Sequence, residues 1–355
     1  MAESLLKKQR PAKTPKQRVF VAALPGESDL PAFLEGLYAT RLIRMRHPDI
    51  RTMLIVAPAN RALAEECGLF DEIIDAAGDL STLIRNVHAD IIYVPSVDFR
   101  LSMKLLFSGS IRIAGGARLG KFLRFFDLRR DGEKLKKAGL DMLPESVGIS
   151  FRNAPLPDEM IVYASLFDEH NVSGSWPVGH AARLSRLLST LGAKMIVPLP
   201  EEKFTRTFTP LPSSNSREFA KDVQYLKKYA PEIQFVSAKE IQKKAEWMRK
   251  SSAIVAPAGS ETVFAALLHR PVVTLHDMQS HRMLGKPDAR SLGPRTADPG
   301  VLGLFTKIAD SLDRHLMPQV EECIEDCPAC THLSCVDTIS PERVFENVKR
   351  ILMPY

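Results

Sequence analysis

The sequence predicts an α/β protein made of two doubly wound domains in tandem. Three observations lead there. At 355 residues the chain is longer than one hydrophobic core usually organises. Short apolar runs alternate with segments of helical spacing. That alternation occurs in two series, separated by a Pro-containing stretch. Apolar content of 45% with 25% charged residues is ordinary for a folded chain and excludes disordered and collagen-like classes.

In the first series RVFVAAL (18–24) reads as a buried strand and PAFLEGLYATRLIRMRHP (31–48) as a helix. IRTMLIVAP (50–58), EIID (72–75) and DIIYVP (90–95) follow as strands. The second series runs EMIVYAS (159–165), KMIVPLP (194–200), IQFVSA (233–238), AIVAPA (253–258) and PVVTLH (271–276), with helical patterns such as HAARLSRLLSTLG between them. NAPLPDE (153–159) is the expected linker. A last helix is expected from SPERVFENVKRIL, with Ser340 as cap and Pro341 at the first helical position. The resulting division is a basic disordered tail (1–17), an N-terminal unit (18–152), a C-terminal unit (153–340) with a Cys-rich loop at 323–335, and a terminal helix (341–355).

The charge balance is only +6, but the tail concentrates Lys7, Lys8, Arg10, Lys13, Lys16 and Arg18. Such a tail suits an anionic surface, lipid headgroups or nucleic acid, or simply solubilises the chain. No apolar run reaches membrane-spanning length and the start lacks a signal-peptide core, so a cytoplasmic address is expected. Residues 115–137 interleave Arg118, Lys121 and Arg124 with Leu119, Phe122, Leu123, Phe125 and Phe126. Two readings stand: an amphipathic helix with a solvated cationic face, or a flap gripping an anionic, partly lipidic substrate.

Tandem doubly wound domains bind ligands between the carboxyl ends of their sheets, so the loops after strands hold the candidates. Asp29, after the first strand, reads most simply as a helix N-cap. In a cleft it would also serve as a general base on a substrate hydroxyl. After AIVAPA, the helix start Gly259, Ser260, Glu261 and Thr262 offers backbone N–H groups suited to phosphate. Glu261 would repel a diphosphate unless it turned toward sugar or ribose hydroxyls. In CIEDCPACTHLSC, Cys323, Cys327, Cys330 and Cys335 have spacing that suits a closed tetrahedral thiolate site for structural zinc, or iron; reduced free thiols are the alternative. His332 is a substitute ligand, and Cys67 reads as a core residue.

RVFVAALPGESDLPAFLEGLYATRLIRMRHPDIRTMLIV, NVSGSWPVGHAARLSRLL, AIVAPAGSETVFAALLHRPVVTLHD and a cysteine-bearing tail leading into ISPERVFENVKRIL together resemble the lipopolysaccharide core heptosyltransferases, glycosyltransferase family 9. The resemblance implies a GT-B fold, two Rossmann-like domains facing across a cleft. It also implies inverting transfer of a sugar, heptose foremost, from a nucleotide-diphosphate donor such as ADP-heptose, without a catalytic metal. Asp29 matches the general base, with Ser28 where the motif has Gly. Ser173 to Trp176, including Ser175, matches the donor-phosphate loop, with Gly174 where these enzymes often carry Lys. Ala258, Gly259 and Ser260 replace the usual Asp-Thr-Gly, and Val263 stands at a His position. Glu218 matches an acidic ribose contact. The acceptor implied is an anionic lipid-linked saccharide of the cell envelope, held by Arg118, Lys121 and Arg124 during peripheral contact with the inner membrane surface; nucleic acid is not a partner. The alternatives are a different nucleotide sugar, or a non-catalytic relative serving as a binding or assembly module.

Overall fold

The computed structural model describes residues 17–94, 111–114, 125–127, 149, 151–167, 176–199, 219–257, 260–275, 315–316 and 339–353. In the N-terminal half, strands β1 (Val19–Leu24), β2 (Arg51–Val56), β3 (Glu72–Asp75), β4 (Ile91–Val94), β5 (Ile111–Ala114) and β6 (Phe125–Asp127) form a sheet of order β3-β2-β1-β4-β5-β6. Its helices are α1 (Leu30–Arg46), α2 (Arg61–Glu66) and α3 (Leu80–Asn86), with a 3-10 turn at Pro58–Asn60 before α2. The C-terminal half repeats the plan. Strands β7 (Ile161–Ala164), β8 (Lys194–Leu199), β9 (Gln234–Ser237), β10 (Ala253–Pro257), β11 (Val272–Leu275) and β12 (His315–Leu316) are ordered β12-β11-β10-β7-β8-β9. Its helices are α4 (Val178–Ser189), α5 (Phe219–Tyr229), α6 (Ile241–Arg249), α7 (Ser260–Leu267) and α8 (Pro341–Leu352).

The strand pairings in both sheets are parallel, with Val19 opposite Arg51 and Ile254 opposite Val272 setting the register of two of them. Read from its central strand outward, each sheet has the doubly wound order in which the winding reverses once. The reversal falls between β1 and β4 in one sheet and between β7 and β10 in the other. The central strands are buried on both faces, which is why they read as unbroken apolar runs.

Three apolar layers result. Phe20, Ala22 and Leu24 of β1 point into a middle core, while Val21 and Ala23 pack outward with Ile84 of α3. Tyr163 of β7 also faces the middle core, and Val162 and Ala164 face an outer layer with Leu184 and Leu188 of α4 and Val344 and Val348 of α8. The middle core is shared by the two halves: Leu30, Phe33, Leu34 and Leu37 of α1 belong to it together with Val263, Phe264 and Leu267 of α7. Pressed from both sides, α7 is buried along its whole length and α1 from Phe33 to Thr40. Gly36 lets α1 lie close on β1, since a Cβ there would sit 2.6 Å from Leu24 Cδ1.

The terminal helix begins where the sequence places it. Ser340 Oγ accepts from the Arg343 N–H at 3.3 Å, and Pro341 occupies the first turn. The Trp176 indole N–H, fully buried, donates to the Ile339 carbonyl at 2.9 Å, which ties the start of α4 to the start of α8.

Two expectations need correction. Residues 115–137 do not form one amphipathic helix, because Phe125–Asp127 is a strand paired in parallel with β5. The other is an omission: β5, β6 and β12 are strands that the apolar pattern did not single out. Each is two to four residues long, and their pairing is supplied by neighbours rather than by their own composition.

Candidate functional site

The loops after β1 and β10 leave the carboxyl ends of strands that flank the two winding reversals, where doubly wound sheets bind ligands. The β1–α1 loop runs from Pro25 to Asp29. Asp29 caps α1, its Oδ1 accepting from the Ala32 N–H at 3.0 Å, so the simpler of its two readings holds. One carboxylate oxygen is used in this way, and the side chain is half-buried rather than enclosed.

The C-terminal half reaches this loop through the first turn of α6. The Ile241 N–H donates to the Glu27 carbonyl at 3.1 Å. Asn60, completely buried, joins the same three segments: its Nδ2 donates to the Glu27 carbonyl at 3.0 Å and the Gly26 carbonyl at 3.3 Å, and its Oδ1 accepts from the Gln242 N–H at 3.2 Å. A buried amide with donors and acceptor all engaged fixes the spacing of the elements it bridges. Sequence reasoning missed Asn60. Its only signal is a polar residue directly after an apolar run, which any turn provides.

Glu261, on the first turn of α7, is 3% exposed, and its Oε1 is bound by Lys244 Nζ from the first turn of α6. The lysine cancels the charge that would repel a diphosphate at this helix start. Glu261 Oε2 has no hydrogen-bond partner among the described residues. A buried carboxylate oxygen without a donor is costly, and a ligand hydroxyl would satisfy it. Lys244 is a further residue that no sequence pattern singles out. The Thr262 hydroxyl donates to the Pro257 carbonyl at 2.8 Å, bracing the strand–helix turn. A diphosphate offers only acceptors, so what Thr262 has for it is the backbone N–H. Ser260 lies in the same buried turn.

Ser173, Ser175, Glu218, Gly259, Arg118, Lys121 and Arg124 lie outside the described residues, as do Cys323, Cys327, Cys330 and Cys335. Among the described residues no group of three or more His, Cys, Asp and Glu side chains is placed to hold a metal ion. Cys67 packs half-buried against the middle core and donates its thiol to the Ala64 carbonyl. Burial pushes its pKa up to about 11, so it is an unreactive packing residue. Among the described residues no helix is long and apolar enough to cross a membrane.

Two parallel doubly wound sheets joined through a shared middle core define a GT-B fold. Solved structures agree over almost the whole chain. E. coli ADP-heptose lipopolysaccharide heptosyltransferase II is 15% identical with a TM-score of 0.58, covering 95% of this chain and 98% of that one. A family 9 glycosyl transferase from Veillonella parvula is 12% identical with a TM-score of 0.56, covering 95% and 97%. An E. coli heptosyltransferase solved with ADP is 12% identical with a TM-score of 0.56, covering 94% and 100%. No protein-family model and no curated relative matches the sequence.

Proposed function

We propose that this chain is an inverting glycosyltransferase that moves a sugar, heptose foremost, from a nucleotide-diphosphate donor to an anionic saccharide of the lipopolysaccharide type. The observation that carries the reading is the buried Glu261, paired with Lys244 on the first turn of α7 and with Oε2 unpartnered among the described residues, at a strand end flanking a winding reversal, as Asp29 on the loop after β1 stands at the other. In this reading Asp29 takes the proton of the acceptor hydroxyl. The oxygen attacks the anomeric carbon from the face opposite the diphosphate, a carbon–oxygen bond forms, and the bond to the leaving diphosphate breaks. The free N–H groups at the start of α7 stabilise the negative charge of that leaving group. Glu261 Oε2 accepts from a hydroxyl of the sugar or ribose, while Lys244 keeps the pair electrically neutral.

The N-terminal unit (18–152) takes the acceptor, with Arg118, Lys121 and Arg124 on its anionic groups, and the C-terminal unit (153–340) takes the donor with Ser173, Ser175 and Glu218. The site works in the cytoplasm at the inner membrane surface. A thermal-shift panel of nucleoside diphosphates and nucleotide sugars tests this: a donor that binds only the folded chain raises the melting temperature. A shift with ADP-heptose, coupled to transfer onto a lipopolysaccharide acceptor, is expected. A shift with another nucleotide sugar alone would reassign the donor. No shift across the panel would leave the fold as a binding module.

A further inference from the structure

The amino ends of the two sheets, opposite the candidate site, meet at a joint built from the end of α2, the chain after Phe151, the end of α6 and the turn between α7 and β11. The Phe151 N–H donates to the Leu267 carbonyl at 3.2 Å, and its ring stands edge-on to Phe264 at 5.7 Å. α7 ends in a cap in which the Arg270 N–H donates to the Ala265 carbonyl at 3.0 Å, with His269 in the left-handed region at φ 58°. Arg270 is 3% exposed. Its Nη2 donates to the Ala154 carbonyl at 3.1 Å and the Pro155 carbonyl at 3.0 Å, while its Nε and Nη1 have no partner among the described residues.

A second guanidinium lies nearby. Arg249, the last residue of α6, grips Glu66 of α2 through both terminal nitrogens, with Nη1 at 3.1 Å from Oε1, and its Nε is also without a partner among the described residues. The Glu66 carboxylate is therefore taken by Arg249. Burial, and then the Arg249 charge, push the Arg270 pKa below its ordinary value, as expected of a cation facing another cation. A buried ion without a counter-charge is costly, and a bound anion would offset that cost.

We propose that this joint is a binding site for a small inorganic anion, held by the free N–H groups of Arg270 and attracted by Arg249. The proposal is independent of the transferase reading, since the site lies at the other end of the sheets. Melting temperature is measured at fixed ionic strength in a gluconate buffer while chloride or inorganic phosphate replaces gluconate. A saturable rise is expected in the wild type and no saturation in Arg270→Met. Saturation by chloride alone makes the ligand a halide, and saturation by phosphate makes it an oxyanion. Should Arg270→Met fail to fold, wild-type crystals soaked in bromide where chloride saturates, or in selenate where phosphate does, are expected to show anomalous density within hydrogen-bond reach of Arg270. No saturation in the wild type, equal saturation in Arg270→Met, or anomalous density elsewhere only would each overturn the proposal.

Discussion

Asparagine caps helices about as well as aspartate, so Asp29→Asn separates the two roles of this side chain. The capping bond to Ala32 survives in the variant, and the melting temperature should stay near wild type. A proton acceptor is lost, and transfer should fall by about 10²–10⁴-fold, the usual worth of a general base. Asp29→Ala should lose the transfer and also about 1 kcal/mol of stability. Near wild-type transfer by the Asn variant would leave Asp29 a cap only. Asp71 makes a prediction about acid stability. Burial raises its pKa, but bonds from the Thr52 N–H at 2.7 Å and hydroxyl at 3.0 Å, with the charges of Arg44 and Arg51, outweigh it and leave the carboxyl below its ordinary value. A depressed folded-state pKa means the contribution is full above the unfolded value of about 3.9 and is lost as pH falls through the folded one. Asp71→Asn should therefore be less stable than wild type at neutral pH, and urea midpoints should converge as pH drops below about 4.

Elements meet at Asn60, which ties the β1–α1 loop, the turn after β2 and the first turn of α6. Asn60→Ala removes the partner of the Gly26 carbonyl and of the Gln242 N–H, while the Glu27 carbonyl keeps the Ile241 N–H; losing such part-buried bonds costs about 1–3 kcal/mol. Chemical denaturation should show a loss within that range. Transfer should slow as well, because the loop bearing Asp29 loses its anchor to the C-terminal half. A loss of stability with transfer unchanged at a temperature where the variant is folded would remove Asn60 from the positioning of Asp29. The elements themselves were legible where one short segment carried the whole signal. The six residues of β1, five of them buried, are an apolar run, and α8 carries both Ser340 and Pro341 at its start. β6 was not legible, because three residues inside a basic segment become a strand only when β5 offers an edge.

For the whole molecule, the middle core predicts how the halves come apart. Residues of α1 and α7 share it, and Arg249 and Glu66 lock it at the far end. Removing one half would expose the apolar face of the other, at about 25 cal/mol per Å². The two sheets should therefore unfold together. Urea transitions followed by far-UV circular dichroism and by the fluorescence of Trp176 and Trp247 should superimpose, as two-state behaviour requires. Separated transitions would show that the shared core does not couple the halves.

By itself the sequence determined the α/β class, the two series of parallel strands and the helix starts at Asp29 and Ser340. Those features rest on contacts between near neighbours in the chain, or on burial that one segment's composition reveals. Tertiary structure alone decided that Glu261 is paired with Lys244, that the Thr262 hydroxyl is spent on Pro257, that Asn60 bridges the halves, and that Arg270 is buried with donors to spare. A charged or polar side chain takes its state from what the fold brings to it. For Asn60 and Gln242 that partner lies 182 residues away, a distance at which no local pattern carries information.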